Sequence, residues 1–208
     1  IAGDAVATRE LATQSGVLFA ETLEEFADLI RISLLMRARR AGGMRVGAMS
    51  NAGFETVGMA DNLGAFTLAP LSDATRATIV DVIRESRLEK IVTVTNPLDV
   101  NPMLNDTAFA RVAEELIADE NVDAAVIGCV PLSGALRTLA HELDTDEPTM
   151  VNVLTSLWQK TSKPWVCVID GGPLYDELAR RLHAGGVPVF RSADRAVRAL
   201  SRWCSVSP

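Results

Sequence analysis

The run Ser50-Asn51-Ala52-Gly53-Phe54-Glu55-Thr56 follows four apolar residues, Val46 to Met49, and precedes Val57, Met59, Ala60 and Leu63 at helical spacing. A strand that turns sharply into a helix aims free N–H groups and the positive end of the helix dipole at one point. Asn51 is expected to cap that helix, and the small Ala52 and Gly53 leave the first-turn amides open. Asn51, Ala52, Gly53, Phe54, Glu55 and Thr56 therefore compose a candidate anion site. The same residues fit an ordinary core helix in which Asn51 only caps and Gly53 only packs closely, and both readings stand at this point. Glu55 complicates the first, because a carboxylate in the first turn competes with an anion for the same dipole.

Other chemistry is sparse. Neither a Gly-x-x-x-x-Gly-Lys-Ser/Thr loop nor a Gly-x-Gly-x-x-Gly turn occurs, which excludes the two commonest nucleotide cradles. His141 and His183 fall in helical stretches where an imidazole simply meets solvent or the dipole. Ser133, His141 and Asp144 offer the residue types of a hydrolytic triad, but without a Gly-x-Ser-x-Gly elbow to present the serine. Cys129 ends an apolar run, as a small buried hydrophobe does. No Cys and His spacing suits zinc, so we expect no catalytic side chain and no metal ligand here.

The elements that position these residues follow from periodicity. Residues 4–14 read as a helix capped by Asp4, with Gly16 as its stop and an apolar strand at 17–20. Thr22 and Glu25 have capping-box spacing ahead of Leu23, Phe26, Leu29, Ile30 and Leu34. Arg37, Arg39 and Arg40 close that second helix before Gly42-Gly43; the cluster suits a phosphate, but a solvated helix end that complements the dipole is the reading preferred. After the turn at 50–56 come a short strand at 66–69 and a helix at 73–84 capped by Ser72. Residues 96–102, Asn-Pro-Leu-Asp-Val-Asn-Pro, are expected to form a fixed loop and not a sheet strand, because proline lacks the ladder donor and restricts its predecessor. Asn105 caps a helix at 107–118.

Residues 122–130 are the most strand-like segment, and their lack of alternation fits a parallel strand covered on both faces at the sheet centre. Pro131-Leu-Ser-Gly134 ends it, and helices are expected at 135–143 and 150–160. A buried strand at 165–169, a helix at 174–183, a strand at 187–190 and a helix from Ser192 to about Trp203 complete the chain. Five strands from Val46 onward alternating with helices imply an α/β, doubly wound five-stranded parallel sheet with an N-terminal helical extension. Ligands of such sheets sit beyond the carboxyl ends of the strands, so the loops at 50–56, 96–101, 130–134 and 170–173 matter most.

Composition narrows the partners. Of 208 residues 48% are apolar, yet no run approaches the ~20 residues of a membrane span. A net charge of −7 argues against nucleic acid as a partner. Three widely spaced cysteines suit reduced thiols in a cytoplasmic protein. The opening Ile1-Ala-Gly-Asp has no initiator methionine and leads straight into a helix, as expected of a chain cut from something longer.

Residues 46–59 and Asn96-Pro-Leu-Asp99 resemble the NDP-forming acyl-CoA synthetases, the superfamily that includes succinyl-CoA synthetase. Ser50-Asn51-Ala52-Gly53 is similar to that family's Thr/Ser-Asn-Ala-Gly-Gly turn, and Asn96-Pro-Leu-Asp99 to its Asn-Pro-Val-Asp loop; Phe54 and Glu55 stand where the family usually has Gly-Pro. Asn121-Val-Asp-Ala-Ala-Val-Ile127, Gly186-Val-Pro-Val-Phe190 and Arg195-Ala-Val-Arg-Ala-Leu200 extend the likeness, in family order, over nearly all of the chain from Met44. The resemblance implies a flavodoxin-like CoA-ligase domain at 44–206. It makes 1–43 the end of a preceding ligase domain plus a connecting helix, with the phosphorylated histidine of that domain's Ser-His-Thr-Gly-Ala motif lying before Ile1.

The family joins a carboxylic acid to CoA at the expense of a nucleoside triphosphate, through an acyl phosphate and a phosphohistidine. By resemblance, the helix opening at Asn51 is one of two whose N-termini hold the phosphohistidine. Asn96, Pro97, Asp99, Asn101, Pro131, Leu132, Ser133 and Gly134 then border an acyl pocket. CoA, ATP or ADP, and Mg are implied for the full enzyme and not for this chain alone. The implied partners are CoA-binding and ATP-grasp domains of the same ligase, a small carboxylic acid or acyl phosphate, and a second copy as a possible homodimer. The alternative is a non-catalytic domain of the same fold, used for ligand sensing or oligomerisation, in which Glu55 has replaced the anion.

Overall fold

A computed structural model describes residues 3–206. Strand β1 (Arg45–Ser50) leads into helix α3 (Gly53–Asp61), after two N-terminal helices, α1 (Ala5–Gln14) and α2 (Leu23–Leu35). Then follow β2 (Thr67–Leu68), α4 (Asp73–Glu85), β3 (Leu98–Asp99), α5 (Asp106–Ala118), β4 (Ala124–Cys129), α6 (Met150–Lys160), β5 (Trp165–Ile169), α7 (Asp176–Ala184), β6 (Val189–Phe190) and α8 (Ala193–Val206). The strands run parallel in the order β2-β1-β4-β5-β6, so the chain moves outward from β1 to β2 and then returns across it to β4. That reversal creates a crevice between the carboxyl ends of β1 and β4, where doubly wound sheets hold their ligands.

Burial explains why the sheet assembles around β4. All six of its residues and all five of β5 are buried, and helices cover both faces: α3 and α8 pack on one, α5 on the other with α4 and α6 beside it. A strand covered twice must be apolar on both sides, which is why Ala124 to Cys129 shows no alternation. Ser72 and Asn105 cap their helices as expected, accepting from Thr75 N and Ala108 N. Asp4 caps α1 through Val6 N and Ala7 N, and Thr22 accepts from Glu25 N at the start of α2.

Four expectations need correction. Residues 17–20 form no strand: they are extended and apolar, but no neighbouring strand offers them a ladder among the described residues. Residues 98–99, expected in a loop, form the sixth strand, pairing Leu98 with Met49 and Asp99 with Ser50 at the last turn of β1. Proline forbids a long strand there, and the two residues after Pro97 escape the restriction. Residues 135–143 make no α-helix beyond a 3₁₀ turn at Ala140–Glu142. Side chains claim the backbone donors such a helix needs: Glu142 accepts from the N–H groups of Thr138 and Leu139, and Asp106 from that of Arg137. Helix α7 is likewise preceded by a 3₁₀ turn at Pro173–Tyr175, where the expectation was one continuous helix.

Candidate functional site

The turn from β1 into α3 does not use Asn51 as a cap. The residue before α3 is Ala52, with no side-chain cap, and the Asn51 carboxamide reaches instead across the crevice to β4. There Nδ2 donates to the Val130 carbonyl at 2.9 Å and Oδ1 accepts from the Val130 N–H at 2.8 Å. Asn51, only 1% exposed, thus stitches the two strand ends on either side of the topological switch. Ser50 does the local capping: its hydroxyl accepts from Ala52 N at 3.2 Å and donates to Glu55 Oε2. The N–H groups of Glu55 and Thr56 bond to the Ala52 carbonyl. Those of Gly53 and Phe54 have no acceptor among the described residues, and both residues are exposed. Two free donors at a positive helix end remain for an anion.

Glu55 does not occupy them. Its side chain turns beneath the helix and is 1% exposed, with Oε1 meeting no hydrogen-bond partner. Burial is the main cause that pushes its carboxyl up to about 7; the Ser50 hydrogen bond opposes the rise and the Asp170 charge adds to it. The carboxyl fits only because residue 128 is glycine: a Cβ there would overlap Glu55 Oε2 and lie 2.7 Å from Met59 Cε. Sequence reading missed the parts played by Ser50 and Gly128. The available signal was a glycine inside the most strand-like segment, which marks a close approach by some other group. Phe54, at 63% exposure, plugs nothing.

The second loop divides between two tasks. Asn96 works as a splice in the sheet, its Nδ2 donating to the carbonyls of Val46 and Ala69 at 2.8 and 3.0 Å and its Oδ1 accepting from Ala48 N at 2.9 Å. With the half-buried Pro97 it fixes β3 beside β1. Asp99 is exposed, and its Oδ2 lies 3.1 Å from where a Cβ on Gly53 would stand, so this carboxylate borders the two free amides. Asn101 adopts a left-handed φ of 69° that lets Oδ1 accept from Met103 N at 3.0 Å.

Pro131, Leu132, Ser133 and Gly134 line a separate cleft of about 300 Å³, together with Leu136, Leu139 and Tyr175. Ser133 donates to the Pro102 carbonyl and ties this loop to the end of the Asn96 loop. Leu132 is 74% exposed at the mouth. The structure therefore brings Asp99 to Gly53 and residue 133 to residue 102, while the Asn96 side chain faces the sheet and not the cleft.

Nothing assembles from the other candidates. Ser133 is engaged with Pro102 and Asp144 is held by Arg181 at 2.6 Å, so no triad forms. The thiols of Cys129, Cys167 and Cys204 are free and buried, and burial pushes all three upward, Cys204 to about 12. Arg39 stacks on Trp158 with its guanidinium 3.4 Å from the ring centre and donates to the Lys163 carbonyl at 2.7 Å, which makes it a packing residue. Among the described residues no three His, Cys, Asp or Glu side chains converge as a metal site, and no helix is long and apolar enough to cross a membrane.

No protein-family model matches the chain. It is 27% identical over 218 aligned residues to a trans-feruloyl-CoA synthase of an unknown prokaryotic organism, covering 100% of this chain and 28% of that protein. To the ADP-forming acetate–CoA ligase I of Archaeoglobus fulgidus it is 29% identical over 201 residues, covering 97% of this chain and 26% of the ligase. To the alpha subunit of ADP-forming acetate–CoA ligase II of Pyrococcus furiosus it is 27% identical over 180 residues, 85% of this chain and 36% of the subunit. The chain therefore spans between 26% and 36% of the length of these curated relatives.

Among solved structures, a protein of Pyrococcus horikoshii OT3 superposes with a TM-score of 0.81 at 24% identity, over 99% of this chain and 44% of that one. The dinucleotide-forming acetyl-coenzyme A synthetase 1 of Candidatus Korarchaeum cryptofilum, solved in complex with phosphate and ADP, superposes at 0.78 with 19% identity, over 99% of this chain and 42% of that one. These likenesses establish the fold: an α/β domain with a parallel sheet in the order β2-β1-β4-β5-β6 and N-terminal helices.

Proposed function

From homology to the ADP-forming acetate–CoA ligases over a domain of about 200 residues, we propose that this chain is the phosphate-facing part of an NDP-forming acyl-CoA synthetase. Its work is electrostatic: the start of α3 holds the phosphoryl group of a phosphohistidine or acyl phosphate delivered by another domain. The observation that carries this reading is the pair of outward, acceptor-free N–H groups at Gly53 and Phe54, with the one carboxylate of that helical turn folded away from them. CoA, the nucleotide and its Mg, and the phosphorylated histidine belong in this reading to the partner domains. The cleft bounded by residues 131–134 is the place proposed for the acyl group.

The N-terminal residues support the partner. Helix α1 buries none of its residues, and a helix of about ten residues does not stand unaided in water. The apolar residues 17–20 find no ladder, and α2 leaves Leu23, Phe26, Ile30 and Leu34 between 44% and 88% exposed. Helix α2 packs on α8 and buries Leu29 and Ile32, while α1, the extended segment and the outer face of α2 find no such packing among the described residues. We assign 1–43 to the end of a preceding ligase domain plus a connecting helix, α2, which packs on α8, and 44–206 to the present domain.

The test is reconstitution with the CoA-binding and ATP-grasp domains, following acyl-CoA-dependent ATP formation. Phe54→Asp sets a negative charge beside the free amides at an exposed position, where an acid in the first helical turn does not harm folding. The expected result is a fall in rate of about 10²–10³-fold, the order of losing one such stabilising group, with unchanged thermal stability. An unaltered rate overturns the assignment and favours the non-catalytic alternative, to which the Asp99 carboxylate beside Gly53 already lends support.

A further inference from the structure

The cradle described above leaves one group without a task. Glu55 is the third residue of α3, is 1% exposed, and keeps Oε1 without a hydrogen bond while Ser50 donates to Oε2. No Lys, Arg or His side chain pairs with it among the described residues. The chain makes room for it at the expense of a side chain on β4, since Gly128 accepts no Cβ. An ionised carboxyl in such a place adds a buried negative charge to the same first helical turn whose free amides an anion would meet. Two negative charges on opposite sides of one helical turn repel each other, and the pair is held more easily when the buried one is neutral.

Resting on the anion-site reading given above, we propose that binding of an anion at the start of α3 is coupled to uptake of one proton by Glu55. The proton comes from solvent and goes to the free oxygen Oε1, while the Ser50 hydroxyl remains on Oε2 and holds the 50–53 turn in shape. Glu55 acts here as a positioning residue that does not touch the ligand. Coupling of this kind is reciprocal: whatever factor the proton contributes to anion affinity, the anion contributes to proton affinity.

The surroundings leave Glu55 as the group that responds. From the end of β5, Asp170 adds negative charge and favours the protonated form. The buried thiols of Cys129 on β4 and Cys167 on β5 are held well above the neutral range. Asp99, from β3, borders Gly53 on the solvent side. On α8, the neighbour along the other flank of α3, Ala193 is the contact at Gly58, and Arg198 pairs with Asp194 while it reaches Asn62 at the far end of the helix.

The experiment measures sulfate binding to the 208-residue chain, because sulfate keeps a fixed charge where inorganic phosphate titrates. Between about pH 6 and about pH 8.5 the wild-type Kd is expected to rise about tenfold, inside the ~5–150-fold span of such couplings. Glu55→Gln, which cannot ionise, is expected to bind with a Kd independent of pH over that range. In the wild-type protein, the carboxyl carbon of Glu55 followed by NMR should titrate at higher pH with saturating sulfate than without it. This last measurement needs no variant and decides the question if Glu55→Gln fails to fold. A flat wild-type Kd, an equal slope in Glu55→Gln, or a Glu55 midpoint indifferent to sulfate overturns the coupling while leaving the anion site standing. Sulfate binding absent at every pH in both proteins overturns the anion site itself, and the coupling with it.

Discussion

Replacing Glu55 by Gln should change how the stability of this fold depends on pH, in a direction and amount that follow from the burial of one carboxyl. Burial moves the folded-state midpoint from 4.5 up to about 7. The folded protein therefore keeps this proton to higher pH than the unfolded chain does. Stability is full below the unfolded midpoint near 4.5, declines as pH rises, and levels off above about 7. Each pH unit between the two midpoints is worth about 1.4 kcal/mol, so ionised Glu55 costs the fold about 3 kcal/mol at pH 8.5.

Glutamine avoids that cost, but it carries an NH₂ group into a place where Oε1 meets no hydrogen-bond partner, a penalty of about 1–3 kcal/mol that is the same at every pH. At about pH 5, where the wild-type carboxyl is neutral, Glu55→Gln should be the less stable protein. At about pH 8.5 the gap should close or reverse, having moved by about 3 kcal/mol in favour of the variant. Urea unfolding at the two pH values reads this directly. Asp106 is pushed up to about 6 by burial and bends the curve the same way, but it is common to both proteins and cancels in the difference. Parallel curves for the two proteins would refute the claim that Glu55 is held neutral by its surroundings.

Two further substitutions test the frame around the site. Asn96→Ala removes all three hydrogen bonds of the carboxamide that splices β1 to the end of β2. A loss of about 2–4 kcal/mol is expected, together with faster hydrogen exchange at the Ala48 amide; unchanged exchange there would show that the splice is dispensable. Gly128→Ala forces a methyl onto the Glu55 carboxyl and should cost about 1–3 kcal/mol. In a Glu55→Ala background only Met59 Cε, 2.7 Å from the new methyl, is left to give way, so the same change should cost less; equal costs in both backgrounds would break the link between residues 128 and 55.

How much of this was legible in the sequence depends on which residues one asks about. The sheet was, because β4 and β5 are covered on both faces and must be apolar throughout, and because a run such as Val122 to Val130 has no other stable use. The caps at Ser72 and Asn105 were legible for the same local reason: the side chain and the amide it satisfies lie three residues apart. Asn51 was misread because its competing partner, Val130, is 79 residues away and exists only once the sheet has formed. The splice made by Asn96 was hidden for the same reason, since its partners Val46 and Ala69 lie 50 and 27 residues away. Polar side chains at strand ends answer to whatever lies beside them, and a single sequence does not say what that is.

The position of Glu55 follows the same logic from the opposite side. Seen along the chain, an acid at the third position of a helix belongs on the dipole and in competition with an anion. Seen in the fold, that position faces inward, because α3 packs across β1 toward β4 and its third residue meets the strand at Gly128. The helix thus carries a free pair of amides on one side of its first turn and a buried acid on the other, separated by the backbone they share. An anion arriving at the amides and a charge forming on the acid draw on the same positive helix end. The occupancy of one must therefore alter the ionisation of the other, whatever molecule brings the anion.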